Sequence, residues 1–379
     1  MLKLLQFTDN HWRYPSLERI AIIGAQHIME STLCLFRNLK MNGLLASNTF
    51  LIGKCYSTSK SVFDDFLNEG FNVSPSSFYF DSHLSYDSVY RNNIAEFVKD
   101  AIGKIDFTNI DKLIIIDDGG YLIRHVNALE ISVPVVSIEQ TSSGVNYLQD
   151  AHLNIPVLNV ARSQAKLELE TPFIVESCMN RLLQYISHED FKNRNALILG
   201  AGAVGSALSV ALKDVCSVEI FDPRFSDGSH LIPALKQTDL VIGCSGSSAL
   251  HYDQYKYLKD GAMLASFSSS DREFEAYKFR KLFPRTNNCL SSFHNNRLLL
   301  IQSGFPINFW GSRNNMSLDK IQITLSLLLT AIYQALYIEA DQRGIIRLDE
   351  ESERLIMSEF SELFIRNSDP NSELQHVKN

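Results

Sequence analysis

Three glycines and an acid carry the most specific chemical signal in this chain. Gly200, Gly202 and Gly205 follow the apolar run 196–199, and Asp222 closes the next apolar run, 218–222. Each glycine in that spacing has a physical reason. The first permits a tight turn, the second leaves bare backbone for a pyrophosphate, and the third lets helix and strand pack closely. A helix opening at Ala203 and Val204 would aim its free N–H groups and positive dipole end at the phosphates. Asp222 would accept hydrogen bonds from both hydroxyls of a ribose, which favours NAD over NADP because a carboxylate repels a 2′-phosphate. Strand, triplet, helix, strand and acid in that order predict NAD binding; the alternative is a domain of the same fold with an empty crevice.

Other reactive side chains gather where apolar runs end. Gln26 and His27 follow run 20–24, Asp117-Asp118-Gly119-Gly120 end run 113–117, Glu139 to Gly144 end run 134–139, and Asn159 to Lys166 follow run 157–160. In parallel sheets ligands bind beyond the carboxyl ends of the strands, so these four segments are expected at one mouth. Ser245 and Gly246, in the small polar loop after run 240–243, and the loop 266–271 are suited to lie beside a nicotinamide and its ribose. Each residue also has a plainer reading: Asp117 and Asp118 as helix caps, His27 satisfied by a carbonyl, Lys166 as a solvated charge.

The elements needed to position these groups are legible as alternating strand-like and amphipathic helical stretches. They predict an α/β fold of two Rossmann-like doubly wound parallel-sheet domains, with C-terminal helices returning to the first. Residues 1–187, completed by 315–366, would form a substrate-type domain, 188–314 the NAD-binding domain, and 367–379 a flexible tail. Strands are expected at 45–53, 262–267 and 298–302 as well as at the runs above, and long helices at 318–341 and 350–366; residues 79–90 show no clear period. The 379 residues carry a net charge of −8 without a basic run, which argues against nucleic acid or an anionic membrane as partner. Six cysteines lack C-x-x-C pairs, which argues against a metal site and for reduced thiols in the cytoplasm. Residues 1–12 lack the basic-then-apolar order of a signal peptide, and 323–338 is too short and too polar to span a bilayer. The greasy helix 318–341 leads us to expect a homo-oligomer.

Five segments, taken together and in order, resemble the S-adenosyl-L-homocysteine hydrolase (adenosylhomocysteinase) family from about residue 20 to 336. Gln26-His27-Ile28-Met29-Glu30-Ser31-Thr32 is similar to that family's LHMTVET, and Asp117-Asp118-Gly119-Gly120 to its DDGGD. Glu139-Gln140-Thr141-Ser142-Ser143-Gly144-Val145 is similar to EETTTGV, residues 159–166 to NVNDSVTK, and the glycine turn to GYGDVG. The resemblance implies a held NAD that oxidises a ribose 3′-hydroxyl, loss of the C4′ proton, departure of the 5′-thiolate, addition of water, and reduction of the ketone. It implies that His27 and Asp118 are an acid/base pair near the 5′ and 4′ positions, that Lys166 relays a proton at the 3′-hydroxyl, and that Glu170 bonds the ribose. It further implies that Thr141, Ser142 and Ser143 contact the cofactor. Gln140 stands where the family has a glutamate gripping the ribose hydroxyls. Met29 and Ser31 replace adenine contacts, residues 268–271 lack the histidine of a GHFD segment, and residues 305–309 lack that of a GHPSF clamp. The expectation is an NAD-dependent enzyme acting on a nucleoside- or sugar-like small molecule, changed from S-adenosylhomocysteine. The alternatives are a non-catalytic NAD-binding sensor or scaffold, and a true hydrolase with an altered site.

Overall fold

The computed structural model describes residues 2–13, 16–339 and 341–365. The short apolar runs become the strands of two sheets. In chain order they are β1 (Ile20–Ala25), β2 (Thr49–Ile52), β3 (Asn72–Val73), β4 (Lys112–Asp117), β5 (Val135–Glu139), β6 (Pro156–Asn159), β7 (Asn195–Leu199), β8 (Ser217–Phe221), β9 (Leu240–Gly243), β10 (Ala262–Ser266), β11 (Phe293–His294), β12 (Leu298–Leu300) and β13 (Gly344–Arg347). The first sheet has the order β3-β2-β1-β4-β5-β6-β13 and every neighbouring pair is parallel. The second has the order β8-β7-β9-β10-β12-β11, parallel except for β11.

All residues of β1, IAIIGA, are buried, as an inner parallel strand covered on both faces requires. One face carries a core of Leu33 and Phe36 with Leu325, Leu328, Leu329 and Ile332 of the helix Leu318–Tyr337. The other carries Tyr90, Phe97 and Val98 of the helix Tyr86–Lys104. The C-terminal segment therefore does return to the first sheet, adding both a helix and an edge strand. The second sheet lies between a cluster that includes Leu235, Tyr255 and Phe279 and one that includes Leu208 and Leu212 of the helix Ala203–Leu212. The helix Thr171–Leu182 joins the two: Phe173 leans on the first core, while Val175, Cys178 and Leu182 lie in the second.

Both sheets grow outward from their first strand and then return to its other side, so each has a switch point. These are β1/β4 and β7/β9, the points beyond whose strand ends parallel sheets bind ligands. Some sequence expectations are corrected. Only Thr49–Ile52 of the run 45–53 is strand, because Ala46–Asn48 form a 3₁₀ turn. The run 298–302 stops at Leu300, because Gln302 and Ser303 take left-handed φ of 50° and 54°. Residues 79–90 lead into the helix beginning at Tyr86. The expected tail, 367–379, lies outside the described residues. Among the described residues no helix is long and apolar enough to cross a membrane, and no group of His, Cys, Asp and Glu is arranged to hold a metal ion.

Candidate functional site

At the first switch point, β1 delivers His27 and β4 delivers Asp117 and Asp118. The two aspartates divide the work. Asp117 accepts from the backbone N–H of Asp118 at 2.8 Å and of Ile123 at 2.9 Å, so it is the one that satisfies a first-turn N–H of the helix Tyr121–Val126, whose N-cap is Gly120. Asp118 turns into the crevice. Its Oδ1 pairs with the ammonium of Lys54, at the end of β2, and its Oδ2 accepts from Gln140 Nε2 at 2.6 Å and lies 3.3 Å from His27 Nε2. His27 Nδ1 lies 2.5 Å from Ser57 Oγ, and its ring stacks on Phe309 with centroids 4.6 Å apart. His27, Asp118 and Gln140, named separately from sequence, are thus one hydrogen-bonded group.

The electrostatics of this group are set by burial and by Lys54. Burial would raise the Asp118 carboxyl, but the Lys54 ammonium and His27 outweigh it and hold it well below the ordinary range. Burial would likewise discharge Lys54, yet the Asp118 carboxylate reverses that and raises it. Asp117 and Glu139, at neighbouring strand ends, lack such a cation at contact. Burial pushes Asp117 up to about 6, and burial together with the charge of Asp117 pushes Glu139 well above its usual value. Glu139 Oε1 accepts from Thr141 N at 2.7 Å, Thr141 Oγ1 at 2.6 Å and Gly119 N at 3.2 Å. The Thr141 hydroxyl also accepts from Gly144 N at 3.0 Å as the cap of the helix Ser142–Leu148. Thr141 is therefore committed to the fold, while Ser142 and Ser143 open that helix.

Lys166 and Glu170 form a second group. They lie four residues apart on a π-helical turn, Lys166–Glu170, a geometry that recurs at functional sites. Lys166 Nζ is 2.7 Å from Glu170 Oε2, and Glu170 Oε1 accepts from Thr324 Oγ1 at 2.7 Å. The partners of this pair are each other and Thr324, not the His27 group.

At the second switch point the glycine pattern acquires its geometry. Gly200 has φ of 108°, and a Cβ there would fall 2.7 Å from Ser245 Cα; a Cβ on Gly205 would fall 1.9 Å from the Gly200 carbonyl oxygen. A Cβ on Gly202 would meet nothing within 4 Å, so open space lies over the start of the helix Ala203–Leu212, which Ala203 and Val204 begin. A pyrophosphate needs that combination: a turn too tight for side chains and free room at the helix N-terminus. Asp222 Oδ2 accepts from Ala201 N at 2.7 Å, tying the strand end to the turn. The loops of the two sheets meet here: a Cβ on Gly246 would lie 3.8 Å from Ser143 Cβ, which brings together two predicted cofactor loops.

Several residues of these sites had no sequence signal beyond their type. Lys54 is a single lysine after an apolar run, and Ser57 one hydroxyl among several. Glu273 is buried beneath the loop after β9: its Oε1 accepts from Gly246 N at 2.5 Å and Ser268 Oγ at 2.5 Å, and its Oε2 from Ser245 Oγ at 3.0 Å. Burial pushes Glu273 up to about 7 against those hydrogen bonds. Arg224 forks onto Asp222, with Nε 2.9 Å from Oδ1 and Nη2 2.6 Å from Oδ2. That fork holds the Asp222 carboxyl below its ordinary range. Asp222 is thus not the bare acid that its place in the sequence suggests.

No protein-family model matches the chain. The uncharacterized protein Rv0104 of Mycobacterium tuberculosis is 32% identical over 339 residues, 87% of this chain and 67% of that protein. The chain belongs to its family. The chain also shares sequence with a known enzyme: the adenosylhomocysteinase of Acinetobacter baylyi is 22% identical to it over 254 residues, 55% of this chain and 53% of that protein. Among solved structures, a dipicolinate synthase from Bacillus halodurans superimposes with a TM-score of 0.46 at 12% identity, covering 84% of this chain and 98% of that one.

Proposed function

We propose that this chain is a nicotinamide-dinucleotide-dependent oxidoreductase related to adenosylhomocysteinase, which oxidises a hydroxyl of a ribosyl- or polyol-like ligand and has given up hydrolysis of S-adenosylhomocysteine. Residues 188–314 would hold the dinucleotide and residues 1–187 with 315–366 the ligand. The observation that carries the reading is the glycine turn. Side chains are excluded at Gly200 and Gly205, space is left at Gly202, and the turn packs on Ser245 of the loop whose Gly246 approaches Ser143. A bound nicotinamide would supply a hydride acceptor. Lys166 and Glu170 are then the groups suited to hold a ligand hydroxyl and take its proton, since a partly buried ammonium–carboxylate pair can orient a hydroxyl and pass a proton within the pair.

The loss of hydrolysis is argued from Asp118. A carboxylate offers about four lone-pair sites, and Lys54, Gln140 and His27 already address three of them. A carboxylate held well below its ordinary range is also a weak base. The same crowding of Asp118 supports a second reading, a dinucleotide-binding protein without turnover. Anaerobic mixing of NAD-loaded protein with nucleosides, nucleotides and cyclic polyols, followed at the NADH absorbance, separates the two. Slow NADH formation from any of them, with no thiol released from S-adenosylhomocysteine, is the expected result. Robust thiol release would overturn the proposal, and tight NAD binding without any reduction would leave the non-catalytic reading.

A further inference from the structure

An acid at the end of the second strand of a dinucleotide fold normally selects NAD, because its free oxygens take the two ribose hydroxyls and its charge repels a 2′-phosphate. Here those oxygens are not free. Oδ2 accepts from Ala201 N at 2.7 Å and Arg224 Nη2 at 2.6 Å; Oδ1 accepts from Arg224 Nε at 2.9 Å and from the Arg224 backbone N–H at 3.0 Å. Four donors fill the lone pairs of one carboxylate. The guanidinium also cancels its charge at contact distance, so the strand end presents no net negative charge to an arriving ligand.

Resting on the dinucleotide reading above, we infer that the Asp222–Arg224 pair turns this strand end into a 2′-phosphate subsite, so that the chain binds NADP(H) at least as tightly as NAD(H). The fork uses Nε and Nη2 and leaves the Nη1 edge of the guanidinium free of Asp222. The Arg224 side chain is 63% exposed and lies over the ring of Phe225, 5.3 Å from its centroid, with Phe225 itself 78% exposed. A phosphate oxygen can therefore bond the outer edge of the arginine while Asp222 keeps the inner edge. Asp222 then acts as the positioning group and Arg224 as the contact. A ribose hydroxyl has the opposite difficulty: to donate to Asp222 it must first displace a bidentate arginine. Arg224 thus helps the phosphorylated dinucleotide and hinders the other.

The test is titration of the full-length protein with NADPH and with NADH, followed by nicotinamide fluorescence, in the native chain and in Arg224→Ala. The native chain should bind NADPH with a dissociation constant equal to or below that for NADH. Loss of the arginine should weaken NADPH by about tenfold or more, and should tighten NADH because the Asp222 oxygens are released. Because Arg224 is exposed, the variant should fold, and the NADH arm checks this directly. NADPH binding more than tenfold weaker than NADH in the native chain would overturn the inference and leave the dinucleotide site standing. Unchanged constants in the variant would overturn it too. Failure of both dinucleotides to bind would remove the site and the inference together.

Discussion

Glu273→Gln should stabilise the protein, and should do so only on the alkaline side. Glu273 is fully buried, and burial raises its carboxyl from the ordinary 4.5 to about 7. The folded state therefore binds this proton more tightly than the unfolded state does. Its contribution to stability is full below the ordinary value and is lost as pH rises from there to about 7. A displacement of that size is worth about 3 kcal/mol, and no exposure to solvent reduces it. Glutamine fits the hydrogen bonds already present. Its carbonyl oxygen can accept from Gly246 N and Ser268 Oγ as Oε1 does, and its amide can donate to Ser245 Oγ, which can turn to accept. The variant carries no charge to desolvate. Urea unfolding followed by circular dichroism should show the two proteins nearly equal at pH ~4 and the variant ahead by about 3 kcal/mol at pH ~8.5. Asp117 and Glu139, also raised, tilt both curves alike and cancel in the difference. A constant difference across that range would mean that Glu273 holds its proton no more tightly in the fold than in the unfolded chain, and the reasoning would fail.

Asp118→Asn should cost about 3–5 kcal/mol, because it leaves the buried Lys54 ammonium without its counter-charge. The double change Lys54→Met with Asp118→Leu should recover most of that loss, and a single variant as stable as the native chain would refute the pair's importance. Since Asp118 is held below its ordinary range, its contribution is present above that range and fades as pH falls through the acid region. Gly205→Ala should abolish NADH fluorescence enhancement, because the new Cβ would sit 1.9 Å from the Gly200 carbonyl oxygen; undiminished binding would place the phosphates elsewhere. Lys166→Ala should eliminate any reduction of NAD detected in the ligand screen, and persistence of that signal would move the redox site away from the Lys166–Glu170 pair.

The parts of the site legible in the sequence are those whose requirements are met within one short stretch. A tight turn, a close helix–strand approach and an acid at a strand end leave glycines and an aspartate at fixed intervals, so the glycine turn and its strand-end acid are legible in 196–222. The strand runs are legible for a similar reason: the inner parallel strand β1 and residues 113–116 of β4 are apolar throughout. The short strands β3, β11 and β13 are not, since they follow from pairing with neighbours and not from their own composition. Lys54 and Glu273 are not legible in the sequence for the complementary reason. Each is a charge whose meaning arises only where the fold buries it against a residue distant in sequence: Asp118 for Lys54, the 245–246 loop for Glu273, which the sequence sets among other charges at 271–275.

Gln140 shows most clearly how a legible change can hide its consequence. As a sequence difference it reads as a lost carboxylate that would have gripped a ribose. In the fold its amide donates to Asp118 at 2.6 Å, so the substitution also adds a donor to the very group expected to accept a ligand proton. A carboxylate in this position would instead have set two like charges side by side and raised the basicity of one of them. With glutamine and Lys54 together, Asp118 is stabilised as an anion and weakened as a base, while the Lys166–Glu170 pair keeps both a proton donor and an acceptor. Oxidation of a hydroxyl requires only the second group. Elimination of a thiolate requires both, which is the ground on which we propose a chemistry that stops at oxidation.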